Sequence, residues 1–574
     1  MDSPTDSRSN ATGPRDDARA DSPTSARPSL PARAADAGAT VAEGAIAALA
    51  ATGTRRLFGM PGGGSSLDLI EAARRQGMGF VLARHEGAAV MMAAADAELG
   101  GHVGAVLTTK GPGTANAANG VAHASLDRCP VAVFTDGFSP TQLGYVTHQW
   151  FDQRAMLAPV VKGHTTFEPA PSRDDIAALL ALARQPRRGP VHIELTGPAS
   201  RASLSTQDPG TASAAAPADP SGDLDRAASL LMRARRPVVV AGLEARDPDI
   251  AAATRALVRT LGCPALVTYK SKGVIPDDDD AYVGIFTGGA AERAAVEAAD
   301  LIVLVGLDPV ELILQPWPYA LPVLEIGWTP HPVHYVQAEC AVHDNPATTL
   351  AALAAVARPA DWRADDIAGH RTRLRDSLAY EGNGQGLTPE AVVTVAAEVA
   401  AGLELWPRAT VDAGAHMFSA TAFWPCFAPN GLLISNGLAS MGFALPAGIA
   451  AALHEPDRAV LAFTGDGGLM MCLGELATAV EQRARLVVVV FNDGALSLID
   501  IKQQSRTLPA AGVRWAPPDF AAVMQGLGGL GLRVDTPQQY APALERAFAH
   551  RGPSLIDVRV DPSGYPGQLR AMRG

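Results

Sequence analysis

Two acidic residues in the last third of the sequence follow apolar runs, at a spacing that could create a metal site. Asp466 lies in the turn GDGG at 465–468, and Asp493 follows a second apolar run, next to Asn492. We predict a helix between the two runs, over roughly 469–482. In a right-handed strand–helix–strand unit both strands point the same way, so the two carboxylates should reach one edge of the sheet.

Two carboxylates at close range repel each other unless a cation lies between them. Mg²⁺ suits such a position, because it binds few protein oxygens together with water and substrate phosphates. The glycines at 465–468 let a phosphate approach the backbone, and the following helix presents its positive N-terminus. The pattern therefore predicts a site for a metal-bound diphosphate, although GDGG also occurs in ordinary tight turns.

Glu86 is a third candidate, far from the first two along the chain. It follows the apolar run FVLA at 80–83 and stands in the first turn of a predicted helix. An acid in that position usually does no more than favour the positive end of the helix dipole. Its position alone therefore does not indicate a function.

The composition indicates a globular protein with several domains. The chain has 574 residues, of which 47% are hydrophobic, 18% charged and 5% aromatic. Its formal charge of −12 is unsuited to binding nucleic acid or an anionic membrane. The five cysteines lack CxxC spacing, which fits reduced thiols in the cytoplasm and predicts neither a disulfide framework nor a structural zinc.

Two segments need to be distinguished from targeting and membrane signals. Residues 1–38 have no apolar run and carry several acids, so we interpret them as a disordered tail rather than a signal or transit peptide. The apolar stretch 437–453 contains Pro446 and is barely of spanning length, so we predict a buried helix there. We expect a cytoplasmic protein without a membrane span.

Polar stretches rich in Gly, Pro or charge, at 202–223 and 358–386, divide the chain into three blocks. In each block apolar runs alternate with helical stretches, which predicts an α/β fold of three doubly wound parallel sheets. Examples of these runs are VAVFTD at 131–136, LIVLVG at 301–306 and AVLAFTG at 459–465. The predicted divisions are a tail at 1–38, domains at 39–200, 224–357 and 388–561, and a C-terminal tail at 562–574.

Further motifs surround the candidate residues. They are FGMPGGG (58–64), RHEGAA (84–89), TKGPGTANAANGVAHASLDRCPV (109–131), RGPVHIEL (188–195), DAGAHM (412–417) and NGLASMGFALPAGIAAAL (436–453). In this order, together with 462–495, they resemble the thiamine-diphosphate enzymes of the acetohydroxyacid (acetolactate) synthase group, which includes benzaldehyde lyase and pyruvate oxidase. The resemblance implies a pyrimidine-binding N-terminal domain, a Rossmann-like middle domain and a diphosphate-binding C-terminal domain.

The resemblance also implies a thiamine diphosphate site that contains Mg²⁺. The metal ligands would be Asp466, Asp493 and the main-chain carbonyl of Ala495, although many members of the group have Asn at the position of Asp493. Met441 would support a bent cofactor, or else it is an ordinary core residue. The other cofactor contacts implied by the resemblance are Gly414, Ala415, His416, Gly465, Gly467, Gly468 and Asn492.

Glu86 acquires a catalytic role through this resemblance. It would hydrogen-bond the aminopyrimidine ring and favour the tautomer that removes the thiazolium C2 proton. A 2-oxo acid would then be attacked and lose carbon dioxide, and the remaining fragment would be protonated or joined to a second carbonyl. In the family this carboxylate and the metal site meet across a dimer interface, so we expect a homodimer or homotetramer.

Five positions concern the substrate. Gln149 and His148 fall where the family places polar groups near the reacting carbon; otherwise they are loop residues bonded to backbone. Gly63 and Lys110 match segments of the pocket wall. Lys502 stands where the synthases carry a Trp, which favours a substrate with a second anionic group, unless it is a solvent-facing lysine.

Two activities stay open. The first is a decarboxylase or carboligase acting on a 2-oxo acid, and the second is a flavin-linked oxidase of such an acid. Flavin-binding members carry a cation after a strand of the middle domain, where this chain has Asp308, so we expect no FAD and a colourless protein. A Rossmann dehydrogenase is poorly supported, because no GxGxxG follows the first strand of any block.

Overall fold

The computed structural model describes residues 38–205, 221–313, 316–331, 336–384 and 386–573. Within these ranges the chain forms three six-stranded sheets in which neighbouring strands are parallel, flanked by helices. The prediction of three α/β domains is confirmed. The predicted tail at 1–38 lies outside the described ranges except for residue 38. No helix in the described ranges is long and apolar enough to cross a membrane.

The first sheet has the strand order β2-β1-β3-β4-β6-β5. Every residue of β3 and β4 is buried, as expected of parallel strands covered on both faces. The elements of this domain are α1 Val41–Thr52, β1 Arg56–Met60, α2 Ser65–Arg75, β2 Gly79–Leu82, α3 Glu86–Gly100, β3 Gly104–Thr108, α4 Pro112–Leu126, β4 Val131–Asp136, α5 Pro140–Leu143, α6 Gln153–Leu157, β5 His164–Thr165, α7 Arg173–Arg184, β6 Val191–Leu195 and α8 Gly197–Arg201.

The second sheet has the order β12-β11-β10-β7-β8-β9. Its central strands are buried along their whole length. The elements are α9 Ser221–Arg233, β7 Pro237–Ala241, α10 Pro248–Leu261, β8 Ala265–Val267, β9 Tyr282–Ile285, α11 Arg293–Val296, β10 Leu301–Val305, β11 Val323–Gly327, β12 Cys340–His343 and α12 Pro346–Val356, followed by α13 Ala364–Ser377 in the stretch that leads to the third domain.

The third sheet has the order β14-β13-β15-β16-β18-β17. Its elements are α14 Pro389–Gly402, β13 Arg408–Val411, α15 His416–Phe423, β14 Leu432–Ile434, α16 Ala444–His454, β15 Val460–Gly465, α17 Asp466–Cys472, α18 Glu475–Glu481, β16 Leu486–Asn492, α19 Ser497–Ser505, α20 Phe520–Gly526, β17 Leu530–Val534, α21 Pro537–Ala549, β18 Ser554–Arg559 and α22 Tyr565–Arg573.

Helix α3 of the first domain packs against α16 of the third. Both helices are rich in Ala and other small apolar residues, and a helix that is apolar all round belongs in a core. Residues 86–97 of α3 and 444–452 of α16 are all buried. The predicted buried helix within 437–453 is therefore present, and a single apolar core joins the first and third domains.

Two segments of the third domain differ from expectation. The helix predicted over 469–482 is divided into α17 and α18, and a Cβ at the intervening Gly474 would lie 3.2 Å from Cβ of Arg84, so the break permits close approach to the first domain. The C-terminal stretch predicted as a tail contains α22, in which Tyr565, Gln568 and Met572 are buried. These residues recur every three or four positions, so they share one helix face that packs against the body of the protein.

Candidate active site

The two acids that motivated the metal prediction lie at the carboxyl edge of the third sheet. Strands β15 and β16 are parallel neighbours, with Gly465 opposite Phe491. Asp466 begins α17 and accepts hydrogen bonds from the backbone N–H of Gly467 at 2.8 Å and of Gly494 at 2.9 Å. Asp493 follows β16 and accepts a bond of 2.5 Å from the Ser497 hydroxyl.

The pKa of Asp466 is raised to about 7, mainly by burial and to a smaller extent by the nearby negative charge of Asp493. Burial also raises the pKa of Asp493. A divalent cation between these groups would reverse both effects, because it offsets the repulsion and replaces lost hydration. Asn492 adds a buried side-chain oxygen with no hydrogen-bond partner among the described residues, while its amide N–H donates to Asp557 at 2.7 Å. This oxygen-rich set fits Mg²⁺.

A cavity of about 270 Å³ opens beside these acids. The structure brings most of the predicted cofactor residues to its wall, whereas Asn492 is not part of the lining. Its lining residues include Gly414, Ala415, His416, Met441, Gly465, Asp466, Gly467, Gly468, Asp493, Ala495, Leu498, Ile499, Tyr565 and Arg573.

His416 is the first residue of α15 and presents an uncharged ring to this cavity. Burial lowers its pKa to about 4, so the imidazole is neutral at physiological pH. The ring stacks on Phe491 with 5.0 Å between the ring centroids, which fixes its plane. Its Nε2 is buried and has no hydrogen-bond partner in the described part of the chain, so it can bond a ligand in the cavity.

Asp412 positions the turn behind Met441 and was not assigned a role from the sequence. Its carboxylate accepts from the Ala444 N–H at 2.7 Å and from the Thr464 hydroxyl at 2.6 Å. A Cβ at Gly468 would overlap the same carboxylate, so only glycine lets α17 approach it this closely. Asp412 thus contacts three segments around the cavity: the start of α16, the end of β15 and helix α17.

Glu86 begins α3 and is 5% exposed. It accepts a hydrogen bond of 3.0 Å from the side-chain N–H of Asn116. A Cβ at Gly113 would lie 3.2 Å from Oε1 of Glu86, so the carboxylate packs against the turn KGPG at 110–113. Glu86 does not belong to the lining of the cavity beside Asp466.

Glu475 fixes the backbone immediately before Glu86, and sequence reasoning missed it. Its Oε1 accepts from the backbone N–H groups of Arg84 and His85, both at 2.9 Å, and Oε2 accepts from the Thr478 hydroxyl at 2.8 Å. Glu475 is 1% exposed, and burial raises its pKa. The signal in the sequence was an acid within an apolar helix, which is rarely buried without a partner.

Comparison with known proteins decides the family. Three profiles of thiamine pyrophosphate enzymes match the chain: the N-terminal TPP binding domain at 39–156, the central domain at 224–353, and the C-terminal TPP binding domain at 412–558. The chain belongs to the thiamine pyrophosphate enzyme family. It is therefore an enzyme that depends on this cofactor, also called thiamine diphosphate.

Several acetolactate synthases resemble this thiamine pyrophosphate enzyme over most of its length. The catabolic acetolactate synthase of Raoultella terrigena is 29% identical over 91% of this chain and 96% of its own. The acetolactate synthase of Bacillus subtilis (strain 168) is 26% identical over 91% and 93%. The acetolactate synthase isozyme 3 large subunit of Escherichia coli (strain K12) is 28% identical over 92% and 96%.

The residues predicted to contact substrate in this thiamine pyrophosphate enzyme lie apart from the cavity. Gln149 and His148 are exposed in the loop before α6, and Gln149 has a φ of 57°. The main-chain oxygen of Gln149 lies so close to Gly111 that a Cβ there would overlap it. The buried amide of this region is Gln153, which accepts from the Gly111 N–H at 3.0 Å and donates to the Asp136 carbonyl at 3.1 Å.

The other substrate candidates also lie outside the cavity. Gly63 is exposed, and Nζ of Lys110 is 4.9 Å from the ring centroid of Phe138. Lys502 is exposed on α19, one turn beyond the cavity-lining part of that helix. Arg573 of α22 is the positively charged side chain among the described residues that line the cavity.

The middle domain of this thiamine pyrophosphate enzyme holds the acid on which the flavin prediction rests. Asp308 is buried and forms a two-bond ion pair with Arg128 of the first domain, at 2.7 and 3.2 Å. Its charge is therefore balanced rather than free to repel a dinucleotide. The absence of FAD stays a prediction, with less electrostatic support than the sequence indicated.

Proposed function

We propose that this enzyme is a Mg²⁺-dependent carboligase or decarboxylase of 2-oxo acids, similar in activity to acetolactate synthase. The observation that carries the proposal is the pair of a buried Asp466 and a half-buried Asp493 at the wall of a cavity, inside the region that matches a C-terminal TPP binding domain. The names of the similar proteins support the synthase reaction over a flavin-linked oxidation.

When bound, thiamine diphosphate would supply a nucleophilic carbon and an acceptor for the electrons left behind by carbon dioxide. Asp466 and Asp493 would hold Mg²⁺ with the Ala495 carbonyl, and the N–H groups at the start of α17 would face the diphosphate. Neutral His416 would hydrogen-bond the ligand without adding charge, and Met441, whose side chain lies beside Gly467, would support it.

Glu86 would hold a proton against the pyrimidine ring, and the surrounding structure suits that task. Its carboxylate is buried, and the Asn116 bond leaves part of the group available for a ligand. Glu86 lies outside the cavity of its own chain, so we propose that a second copy of the chain brings its Glu86 to this cavity. The active assembly is then a homodimer or a homotetramer.

The test is product analysis. The protein with Mg²⁺ and thiamine diphosphate is incubated with a panel of 2-oxo acids, with and without aldehyde or keto acid acceptors. We expect carbon dioxide release that requires both additions, together with a 2-hydroxyketone when the acceptor is an aldehyde and a 2-hydroxy-3-oxo acid when the acceptor is a 2-oxo acid. Oxidised products formed with bound flavin would support the oxidase instead, and no turnover of any 2-oxo acid would contradict the proposal.

A further inference from the structure

Three potential metal ligands meet at the contact between the first and third domains. Asp96 lies in α3, His102 follows that helix, and His454 ends α16. One ligand atom from each lies within 4.8 Å of the others. None of the three lines the cavity beside Asp466, and none takes part in the proposed reaction.

The protonation of His102 is set by its own backbone neighbour. Its Nδ1 is 3.1 Å from the Val103 carbonyl, a partner that can only accept, so Nδ1 carries the hydrogen. Nε2 then keeps a lone pair, and it faces Oδ2 of Asp96 at 3.5 Å. A histidine whose other nitrogen donates to a backbone carbonyl has the orientation found in metal ligands.

Asp96 contributes an oxygen that lacks a donor. Its Oδ2 is buried and has no hydrogen-bond partner among the residues described. A lone pair on nitrogen and a carboxylate oxygen do not attract each other, so a positive species between them would stabilise the pair. The two candidates are a proton on His102 and a metal ion shared by both atoms.

His454 completes the set from the opposite domain. Its Nδ1 lies 3.1 Å from Oδ1 of Asp96, and its side chain is 21% exposed, against 6% for His102 and 1% for Asp96. The exposed side gives an ion a route of entry and room for a water ligand. A Cβ at Gly100 would overlap the His102 ring and lie 3.1 Å from Cε1 of His454, so glycine permits the two rings to converge.

We propose that Asp96, His102 and His454 form a zinc site that links the first and third domains. Two imidazole nitrogens and a carboxylate oxygen are common zinc ligands, and bonds of about 2.0–2.1 Å at tetrahedral angles place ligands about 3.3 Å apart. His454 Nδ1 lies 3.1 Å from Oδ1 of Asp96 and His102 Nε2 lies 3.5 Å from Oδ2, so each imidazole is close to that spacing from one oxygen of the shared carboxylate. The spacing of the cysteines gives no sign of this site, because its ligands are two histidines and an aspartate from separate segments.

Arg56 is the competing cation. Its Nη1 lies 3.6 Å from Oδ1 of Asp96, and its Nη2 donates to the Leu453 carbonyl. A guanidinium this close would weaken the binding of zinc, because the two positive charges repel each other. Replacing Arg56 with Gln should therefore increase zinc affinity, which would not happen if the cluster were only an ion pair network.

The experiment is a zinc titration of the full chain, saturated with Mg²⁺ and thiamine diphosphate, followed by calorimetry and by metal analysis after desalting. We expect about one zinc per chain in the wild type, and a rise in unfolding temperature that a chelator reverses. His454→Ala and His102→Ala should lower zinc affinity by at least about 10-fold. His550→Ala, at an exposed histidine elsewhere, is the matched control and should bind like the wild type.

Two results would overturn the zinc site. One is a wild type that takes up no more zinc than His454→Ala, and the other is an equal loss in His550→Ala, which would show nonspecific binding. If His102→Ala fails to fold, as judged by circular dichroism, Arg56→Gln and His454→Ala decide the question. Catalysis is not part of the readout, so failure here is separate from failure of the proposed function.

Discussion

Asp466, a proposed metal ligand, lowers the stability of the protein before the cofactor binds, because its carboxylate is buried beside Asp493. Its pKa of about 7 in the folded protein lies above the ordinary 3.8. A folded pKa above the unfolded one means that folding takes up a proton between those values, so the apoprotein loses stability as pH rises through that window. A bound cation removes the penalty by stabilising the ionised form.

Asp466→Asn should therefore raise the unfolding temperature of the apoprotein at pH 8 by a few degrees. For a domain of 150–250 residues, a gain of about 1 kcal/mol in the free energy of unfolding corresponds to roughly 2–4 °C. The difference from wild type should shrink towards pH 5, as the wild-type carboxyl becomes protonated. The measurement is thermal unfolding of both proteins without metal or cofactor across this pH range. A variant that is less stable than wild type at pH 8 would contradict the prediction.

Asp493→Asn is the matched variant at the neighbouring acid. Many members of the acetohydroxyacid synthase group have Asn at this position, and Asp493 is only half-buried, so Mg²⁺-dependent binding of thiamine diphosphate should survive in Asp493→Asn. It should be lost in Asp466→Asn, which removes the charge of the fully buried ligand. Calorimetric titration of the cofactor with and without Mg²⁺ distinguishes the two variants. Equal loss of binding in both would show that the charge of Asp493 is essential.

Site residues that directly follow a strand could be predicted from the sequence, whereas residues whose role depends on packing between distant segments could not. Asp466 and Asp493 were found because parallel strands deliver their following residues to one edge. Asp412 and Glu475 were missed because their roles are bonds to backbone groups of distant segments, which no local pattern records. The prediction for Gln149 depends on counting residues through a loop, and in the structure Gln149 is exposed whereas Gln153 is buried.

At the scale of elements, helix α18 supports the segment that presents Glu86. Glu475→Ala would leave the Arg84 and His85 N–H groups without their acceptor, at a cost of about 1–3 kcal/mol for unsatisfied buried groups. We expect kcat to fall by up to about 100-fold, because a small displacement of a catalytic group has that effect. Glu475→Gln keeps an acceptor oxygen and should recover most of the rate.

Kinetics and circular dichroism on both Glu475 variants check this prediction. The loss should appear in kcat rather than in KM for the 2-oxo acid, because Glu475 acts through Glu86 and does not contact substrate. A purely structural role would instead lower the yield of folded protein without changing kcat per folded site. Wild-type kcat in well-folded Glu475→Ala would refute the positioning role.

Element prediction succeeded where a run of apolar residues defined a strand and failed where tertiary contacts set the boundary. The runs at 131–136 and 459–465 became β4 and β15. The division between α17 and α18 follows from close approach of Arg84 to Gly474, a contact between residues almost 400 positions apart in sequence. The C-terminal stretch predicted as a tail forms α22 instead, because its buried residues pack against the body of the protein and Tyr565 and Arg573 line the cavity.

At the scale of the whole molecule, Lys270 of the middle domain joins all three domains. Its Nζ is 2.9 and 3.0 Å from the Glu98 carboxylate, 3.4 Å from Asp127 and 3.1 Å from the Ile434 carbonyl. The side chain is 1% exposed, and although burial opposes the charge, Glu98 and Asp127 raise the pKa of Lys270. Sequence reasoning had no access to this network, because its members come from separate domains.

Lys270→Met should destabilise the protein by about 3–5 kcal/mol, since it leaves buried carboxylates short of a partner. The measurement is the unfolding temperature of the variant relative to wild type. Lys502→Met, at an exposed lysine, is the control and should change stability by no more than about 0.5 kcal/mol. A Lys270→Met protein as stable as this control would show that the network contributes nothing to domain assembly.

In the proposed function Asp466 and Glu86 serve one reaction, although they lie in different domains and do not share a cavity within one chain. The most direct test is carbon dioxide release from a 2-oxo acid by mixed assemblies of Glu86→Ala and Asp466→Ala chains, formed by subunit exchange. Each variant alone should be inactive, whereas mixed dimers contain one site with both residues intact and should recover part of the wild-type rate. No recovery in verified mixed dimers would contradict the claim.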